Sequence, residues 1–526
     1  MGIYLNPGNT LFQQAVNTPT YVDKSMLIEY ANAMLNTEHK EICVSRPRRF
    51  GKSMAANMLS AYYSRGCDSR DLFKNLKIAQ NPDFEKHLNK YNVIRLNLTD
   101  FLEEAEDLMQ MLDFIREDLI EELLKEFPNV EMPKRKTLPK MLETVFNTMK
   151  IPFIFIIDEW DCIFREFKND TASQDVYLKF LRNLLKNQPY SSLVYMTGIL
   201  PIKKYGDQSA LNMFDEYSMT NAEPIEEFTG FTEEEVFELC HEFQMDFNEM
   251  KRWYDGYRLN NLSIYNPKSV AEAINRRRFD NYWSKTENYE SVRHYIEMDF
   301  DGLKDKITKL IAGEKIEINP GKFQNDMTTL RSADDIFTLL VHLGYLTFDF
   351  YTKEVWIPNS EVAQEFINSI EDGGWEEVMK SIKSSDELLK ATLNCDEEKV
   401  AELVDKAHSD NTSILKYNDE NSLSCVISIA YYSARKTYTI ERELPAGKGY
   451  ADLVFRPRKN NSDPAMIVEL KYDKSAEGAL AQIKKKQYFD CLKDYSGEIL
   501  LVGINMKRTA NVILAKLKKF INIIFC

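Results

Sequence analysis

Short apolar runs alternate with stretches of helical periodicity along the N-terminal part of the chain. Residues 42–44 and 153–157 are apolar runs, 93–98 alternates apolar with polar, and 193–196 is again apolar. Between them, 53–64 and 107–125 repeat apolar residues at intervals of three and four, the signature of one buried helix face. Strands alternating with helices predict a parallel sheet covered on both sides.

From about Pro224 the pattern changes. Thr232 precedes Glu233, Glu234 and Glu235, which predicts a helix capped by Thr232 with Glu235 closing a capping box. Helical patterns with few strands continue to about 375, and 384–409 is helical and acidic. Strands are expected at 438–443, 450–456 and 466–471, then a helix over 476–494 and a strand over 498–504. The final apolar stretch, interrupted by Lys516, Lys518 and Lys519, is expected to be a terminal helix docked on its own domain, with a helix lying on a membrane surface as the alternative.

At 526 residues the chain is too long for one core, so two to four domains are expected. A net charge of −15 excludes a broadly basic surface for nucleic acid but leaves room for a local basic cluster. The eight cysteines contain no CxxC pair, and the six histidines none at ligand spacing, which argues against zinc. With no signal peptide in front, the thiols are expected to be reduced in a cytoplasmic protein. No window approaches 18 uninterrupted apolar residues, so no membrane span is expected.

The first chemical signal is Ser45-Arg-Pro-Arg-Arg-Phe-Gly-Lys-Ser53 between an expected strand and helix. A P-loop needs backbone N–H groups around phosphate, a lysine, and a hydroxyl for magnesium. Gly51, Lys52 and Ser53 supply the ending, although Arg46 stands where the first glycine of GxxxxGK[ST] belongs. The apolar strand ending in Asp158-Glu159 is placed to hold magnesium through Asp158 and to orient or deprotonate water through Glu159. Thr197 ends the next strand, where a polar residue would sense the γ-phosphate. Arg46, Arg48 and Arg49 either clamp the nucleotide or pair with surface acids, and both readings stay open.

The second signal is Glu469-Leu470-Lys471 on an apolar strand, which puts Glu469 and Lys471 on one face. The preceding strand carries a single acid, Asp452, and the Pro-, Asn- and Ser-rich connection 456–465 predicts a hairpin that sets Asp452 beside Glu469. Acids meeting there would hold magnesium, with Lys471 positioning water or offsetting charge at a phosphate.

The segments Tyr21-Val-Asp-Lys-Ser25, Ser45–Met54, Ile157-Asp-Glu-Trp-Asp161, Phe228-Thr-Gly-Phe-Thr232, Tyr254-Asp-Gly-Tyr257, Ile264-Tyr-Asn-Pro267 and Ile357-Pro-Asn-Ser-Glu361 resemble the AAA-ATPase-like family fused to a PD-(D/E)XK nuclease domain. In that family the arginine-bearing loop is the usual form, so the resemblance implies ATP binding through Arg46, Arg49, Gly51, Lys52, Ser53, Asp158 and Thr197. It implies a first-helix acid, matched by Glu420 with Asp419 as alternative, and a glutamine-bearing helix, matched by Gln482. The expected architecture is α/β: a P-loop NTPase domain with a parallel sheet (1–225), a mostly helical lid and connector (226–375), and a restriction-endonuclease-like α/β domain (376–526). The expected function is an ATP-binding, magnesium-dependent nuclease under nucleotide control, with Glu420, Asp452 and Glu469 as metal ligands. The partner is nucleic acid, DNA before RNA, with homo-oligomerisation open. The alternative is a nucleotide-dependent switch or remodeller whose nuclease-like domain binds nucleic acid without cutting.

Overall fold

Five parallel strands build the first sheet: β1 (Glu41–Ser45), β2 (Asn92–Asn97), β3 (Phe153–Asp158), β4 (Ser191–Gly198) and β5 (Asp215–Tyr217). Their order is β2-β3-β4-β1-β5. Every residue of β1, β3 and β4 is buried, as expected for central strands covered on both faces. The helix Lys52–Tyr63 returns across the sheet, placing Ala56, Leu59 and Tyr63 in one core with Ile42, Val44, Ile154, Ile156, Leu193 and Tyr195. Because all five strands run the same way, the loop after β1 and the acids ending β3 emerge at the same edge, on either side of the end of β4.

The computed structural model describes residues 2–202, 211–283, 290–298, 300–324, 330–373, 375–411, 420–459, 461–507 and 512–521. The chain divides into two compact units, Met1–Asn288 with Glu317–Gln364, and Tyr289–Ile316 with Glu365–Cys526. The stretch 226–375 is shared between them. It is mainly helical and carries two small sheets: β6 (Phe231–Thr232), β7 (Tyr257–Leu259) and β8 (Leu262–Tyr265) in the order β6-β8-β7, then β9 (Ile316–Glu317), β10 (Thr347–Phe348) and β11 (Glu354–Trp356) in the order β10-β11-β9. The expected capping box is present: Thr232 caps the helix Glu233–Glu242 and Glu235 reaches back to the Thr232 backbone.

The motifs in this region tie its loops together. Gly256 has φ +103, and a Cβ there would meet the Pro358 carbonyl at 2.1 Å, so only glycine lets the two backbones approach. Asn359 Nδ2 donates to Asp255 O at 2.9 Å, while the fully buried Glu361 accepts from Tyr282 N at 2.6 Å, Trp283 N at 2.9 Å and Ser269 Oγ at 3.1 Å.

In the second unit the helices Glu376–Leu393 and Glu397–Asn411 replace the one helix expected over 384–409; the chain turns at Cys395, whose φ is +58. The helix Glu420–Ala430 precedes a mixed sheet of β12 (Tyr438–Ala446), β13 (Gly449–Pro457), β14 (Ala465–Tyr472), β15 (Glu498–Lys507) and β16 (Val512–Ile521), in sequential order. β14 and β15 are parallel, and the other neighbours antiparallel. The helix over their crossover is Ala476–Lys486, shorter than expected; Gln487, at φ +56, ends it and a 3₁₀ turn, Tyr488–Leu492, follows. Gly503 lets this helix lie against β15, since a Cβ there would meet Ala476 O at 2.4 Å.

The terminal stretch corrects the sequence expectation. It is strand β16, paired with β15 from Glu498↔Ile521 to Lys507↔Val512. A ten-residue ladder satisfies the open edge of β15, a gain that periodicity within the segment does not reveal. Among the described residues no helix is long and apolar enough to cross a membrane, and the described cysteines are free thiols.

Candidate functional site

The loop after β1 turns through two left-handed residues, Arg49 at φ +69 and Gly51 at φ +84. Gly51 is the N-cap of the helix Lys52–Tyr63, so the helix begins with its N–H groups directed toward the loop. Nothing lies within 4 Å of where a Gly51 Cβ would sit, so glycine is needed for its conformation and not for space. A cleft of about 660 Å³ opens here. Its polar lining includes Arg48, Arg49, Lys52, Ser53, Asp158, Glu159 and Arg165, and its apolar lining Tyr21, Met54, Phe231, Pro267 and Ala271.

Lys52 is 4 % exposed, and its Nζ donates to Arg46 O at 3.0 Å and Pro47 O at 2.9 Å. Burial pulls its pKa down, while Glu159, Asp158 and Asp161 oppose that shift. Asp158 is buried at the end of β3, with its Oδ1 accepting from Thr197 Oγ1 and, at 3.1 Å, from Glu159 N. Thr197 is fully buried and absent from the cleft wall, so its hydroxyl serves Asp158. Glu159 has φ +55, and burial pushes its carboxyl pKa up against the pull of Lys52. A hard-oxygen set of Ser53 and Asp158 beside a buried ammonium is chemically suited to magnesium with a phosphate chain.

Arg46 departs from the phosphate role considered for it. It is fully buried, donating from Nε to Thr229 Oγ1 at 2.9 Å and from Nη1 to Tyr217 O at 2.8 Å and Ser45 O at 3.0 Å. Desolvation lowers its pKa to about 10. This guanidinium bolts the end of β1 to β5 and is absent from the cleft wall, whereas Arg48 and Arg49 line it.

Arg165 was not singled out by the sequence. Its Nη2 pairs with Glu159 Oε2, and its Nε lies 3.3 Å from Asp161 Oδ2. The four-residue spacing of Asp161 and Arg165 was the available signal. Arg276, Arg277 and Arg278 end the helix Pro267–Arg276, and two of them pair locally, Arg276 with Glu272 and Arg278 with Asp280.

The second cluster lies on the C-terminal sheet. The register Leu453↔Val468 puts Asp452 and Glu469 at facing positions one step further along β13 and β14. There the backbone ladder gives way to a side chain: Asp452 Oδ2 accepts from Leu470 N at 2.6 Å. Glu469 is 1 % exposed; its Oε1 accepts from Lys471 Nζ at 2.6 Å and from Gln482 Nε2. Gln482 comes from the crossover helix, as the resemblance implied, and also donates to Tyr488 Oη at 3.1 Å. Tyr488 is a further member that the sequence did not reveal. Burial raises its pKa, the Gln482 hydrogen bond opposes that rise, and the charges of Glu469 and Asp452 add to it against Lys471.

Asp452, Glu469 and Lys471 are thus brought together. Glu420 opens its helix, but its side chain and all of Asp419 lie outside the described residues. Among the described residues no group of three or more His, Cys, Asp or Glu side chains is arranged to hold a metal. The two facing carboxylates nevertheless form an oxygen donor set of the kind magnesium prefers.

Residues 12–206 match the family model described as a predicted AAA-ATPase, and residues 418–516 that of the PD-(D/E)XK nuclease superfamily. An uncharacterized protein in the vnfD 5′ region of Azotobacter chroococcum mcd 1 is 23 % identical over 256 residues. That alignment takes in 46 % of this chain and 46 % of the relative, so the chain spans about half the length of the curated relative it matches. Among solved structures, the ORC2 protein of Aeropyrum pernix in ADPNP–ADP complexes aligns at 10 % identity and TM-score 0.29, covering 66 % of this chain and 92 % of that one. CDC6P from Pyrobaculum aerophilum aligns at 10 % identity and TM-score 0.21, covering 66 % and 93 %. By the two family models, the chain joins a domain of the predicted AAA-ATPase family, over 12–206, to a domain of the PD-(D/E)XK nuclease superfamily, over 418–516.

Proposed function

We propose that this protein binds ATP with magnesium in the cleft after β1 and hydrolyses phosphodiester bonds of nucleic acid at the Asp452–Glu469–Lys471 cluster, under control of the nucleotide state. The 1–225, 226–375 and 376–526 division would then correspond to ATPase, lid and connector, and nuclease. In the cleft, Lys52 and the backbone from Gly51 would hold the phosphates, helped by Arg49. Ser53 and Asp158 would hold magnesium, Thr197 would fix Asp158, and Glu159 would orient the attacking water.

At the nuclease cluster, Glu420, Asp452 and Glu469 would hold magnesium, which when bound lowers the pKa of water and offsets charge on the scissile phosphate. Lys471 would position that water and stabilise the phosphate charge, and Gln482 would fix the Glu469 carboxylate. The observation that carries this reading is the approach of Asp452 to β14, where its carboxylate takes the Leu470 N–H at 2.6 Å beside Glu469. The substrate favoured is DNA before RNA, and a second copy of the chain remains a candidate partner in the cytoplasm.

The competing reading, a nucleotide-dependent switch or remodeller that grips nucleic acid without cutting, is favoured by one observation. The Glu469 carboxylate is already paired with a buried ammonium, that of Lys471. Cleavage of plasmid and single-stranded DNA with magnesium separates the two, using wild type, Lys52→Ala and Glu469→Ala. Loss of cutting in Glu469→Ala alone gives an ungated nuclease, and loss in both gives nucleotide control. ATP turnover with no cutting by any form overturns the nuclease reading.

A further inference from the structure

The Glu159 carboxylate is held by a guanidinium that is itself held. Arg165 lines the cleft, and its side chain is 11 % exposed. Behind it, Asp161 is fully buried and accepts from Ile199 N at 3.1 Å and Leu200 N at 2.8 Å, both just beyond β4. With Nε 3.3 Å from Asp161 Oδ2, Arg165 is ion-paired to a carboxylate fixed at the end of the central sheet, and its Nη2 pairs with Glu159.

Glu159 needs such an anchor. Its backbone is left-handed at φ +55, a conformation unfavourable for a non-glycine residue that persists where the surroundings over-determine it. A glutamate with three side-chain torsions would otherwise sample many positions at the cleft wall. A planar guanidinium drawn toward Asp161 by charge on its Nε side restricts the carboxylate to a narrower range of directions than a point charge would.

We infer that Arg165 is a positioning residue for ATP turnover, holding the Glu159 carboxylate in the direction from which it orients the attacking water. The inference rests on the reading of this cleft as an ATP-hydrolysing site. Lys52 and Ser53 contact the phosphates and magnesium in that reading; Arg165 acts through Glu159. Removing it misplaces a group needed in the transition state while leaving the phosphate cradle in place, so the loss falls on kcat and not on binding.

The test is steady-state hydrolysis of ATP with magnesium by the full chain, together with binding of a fluorescent, non-hydrolysable ATP analogue. The variants are Arg165→Ala, Arg165→Lys, Glu159→Gln and the Arg165→Ala/Glu159→Gln double. Arg165→Ala is expected to lower kcat about 100-fold, with KM and analogue affinity within about threefold of wild type. Arg165→Lys recovers part of the loss, and the double variant is no slower than Glu159→Gln alone. Arg165→Gln replaces Arg165→Ala should the latter fail to fold. A loss seen mainly in KM and analogue affinity makes Arg165 a phosphate ligand and overturns the inference. Losses that add in the double variant overturn it too, since they give Arg165 a structural role independent of Glu159. Analogue binding without turnover by wild type overturns the hydrolytic reading of the cleft and the inference with it, and is distinguished by the wild-type protein alone.

Discussion

Lys471 and Glu469, two positions apart on β14, form a buried ion pair: Nζ lies 2.6 Å from Oε1, with the side chains 8 % and 2 % exposed. Residues i and i+2 of a strand share a face, so the pairing follows from the strand itself and needs no loop to arrange it. The ammonium is also tied to the Leu470 carbonyl at 2.8 Å. A cation is thereby fixed beside the acid proposed to hold magnesium.

Glu469→Ala removes the carboxylate that balances the buried Lys471 ammonium and is expected to destabilise the second unit by about 3–5 kcal/mol. Glu469→Gln keeps the shape and an acceptor, so it costs less while still abolishing magnesium-dependent cutting. Urea unfolding and DNA cleavage measured side by side check this. Cutting by Glu469→Gln at the wild-type rate would remove Glu469 from the chemistry.

Gln482 bridges Glu469 and the Tyr488 hydroxyl. Gln482→Leu is expected to slow cleavage about 10- to 100-fold, as loss of a group that orients a metal ligand does elsewhere. Tyr488→Phe removes only the far end of that chain and is expected to have a smaller effect. The reverse ranking, in a single-turnover cleavage assay, would show that Tyr488 and not Gln482 meets the substrate.

Arg46→Met is expected to act on stability. It removes two hydrogen bonds that tie the end of β1 to Tyr217 and Thr229, and a third to the Ser45 carbonyl of β1 itself, and leaves the Tyr217 carbonyl and Thr229 hydroxyl without that donor. The expected cost is about 2–4 kcal/mol. Arg49→Ala, in the cleft wall, is expected to weaken nucleotide binding with little change in melting temperature. Calorimetric melting with ATP-analogue titration separates the two, and intact stability with lost affinity in Arg46→Met would restore a phosphate role to Arg46.

Glu272 carries the clearest pH dependence. Hydrogen bonds from Lys268 and Arg276 hold its carboxyl pKa down to about 2, against an ordinary value of 4.5. The folded value lies below the unfolded one, so the stabilisation is fully present above about pH 4.5 and is lost as pH falls toward 2. The pair is largely solvated, so Glu272→Gln is expected to lower the melting temperature at pH 7 by less than about 2 °C and to leave it unchanged near pH 2. An NMR titration of Glu272 near 4.5 in the folded protein would contradict this.

Much of the chemistry was legible because it is written locally. The strand ending in Asp158 and Glu159, the Gly51-Lys52-Ser53 turn, the Thr232 capping box and the Glu469-Leu470-Lys471 triplet each lie within a few consecutive residues. Their spacing fixes which side chains share a face or a turn before any long-range contact forms. The hairpin that brings Asp452 to Glu469 was readable for the same reason, since turn residues join two apolar strands.

What only the tertiary structure decided concerns partners far apart in sequence. Arg46 and Arg49 belong to one basic run, yet one is fully buried against β5 and the other lines the cleft, because the strand order places β5 beside β1. The Arg165 ion pair, the turning of Thr197 toward Asp158, the arrival of Tyr488 at Gln482, and the pairing of β16 with the edge of β15 depend in the same way on what the fold sets alongside. Periodicity and spacing state which groups a segment offers. Burial and pairing, which settle what each group does, are properties of the neighbours the fold supplies.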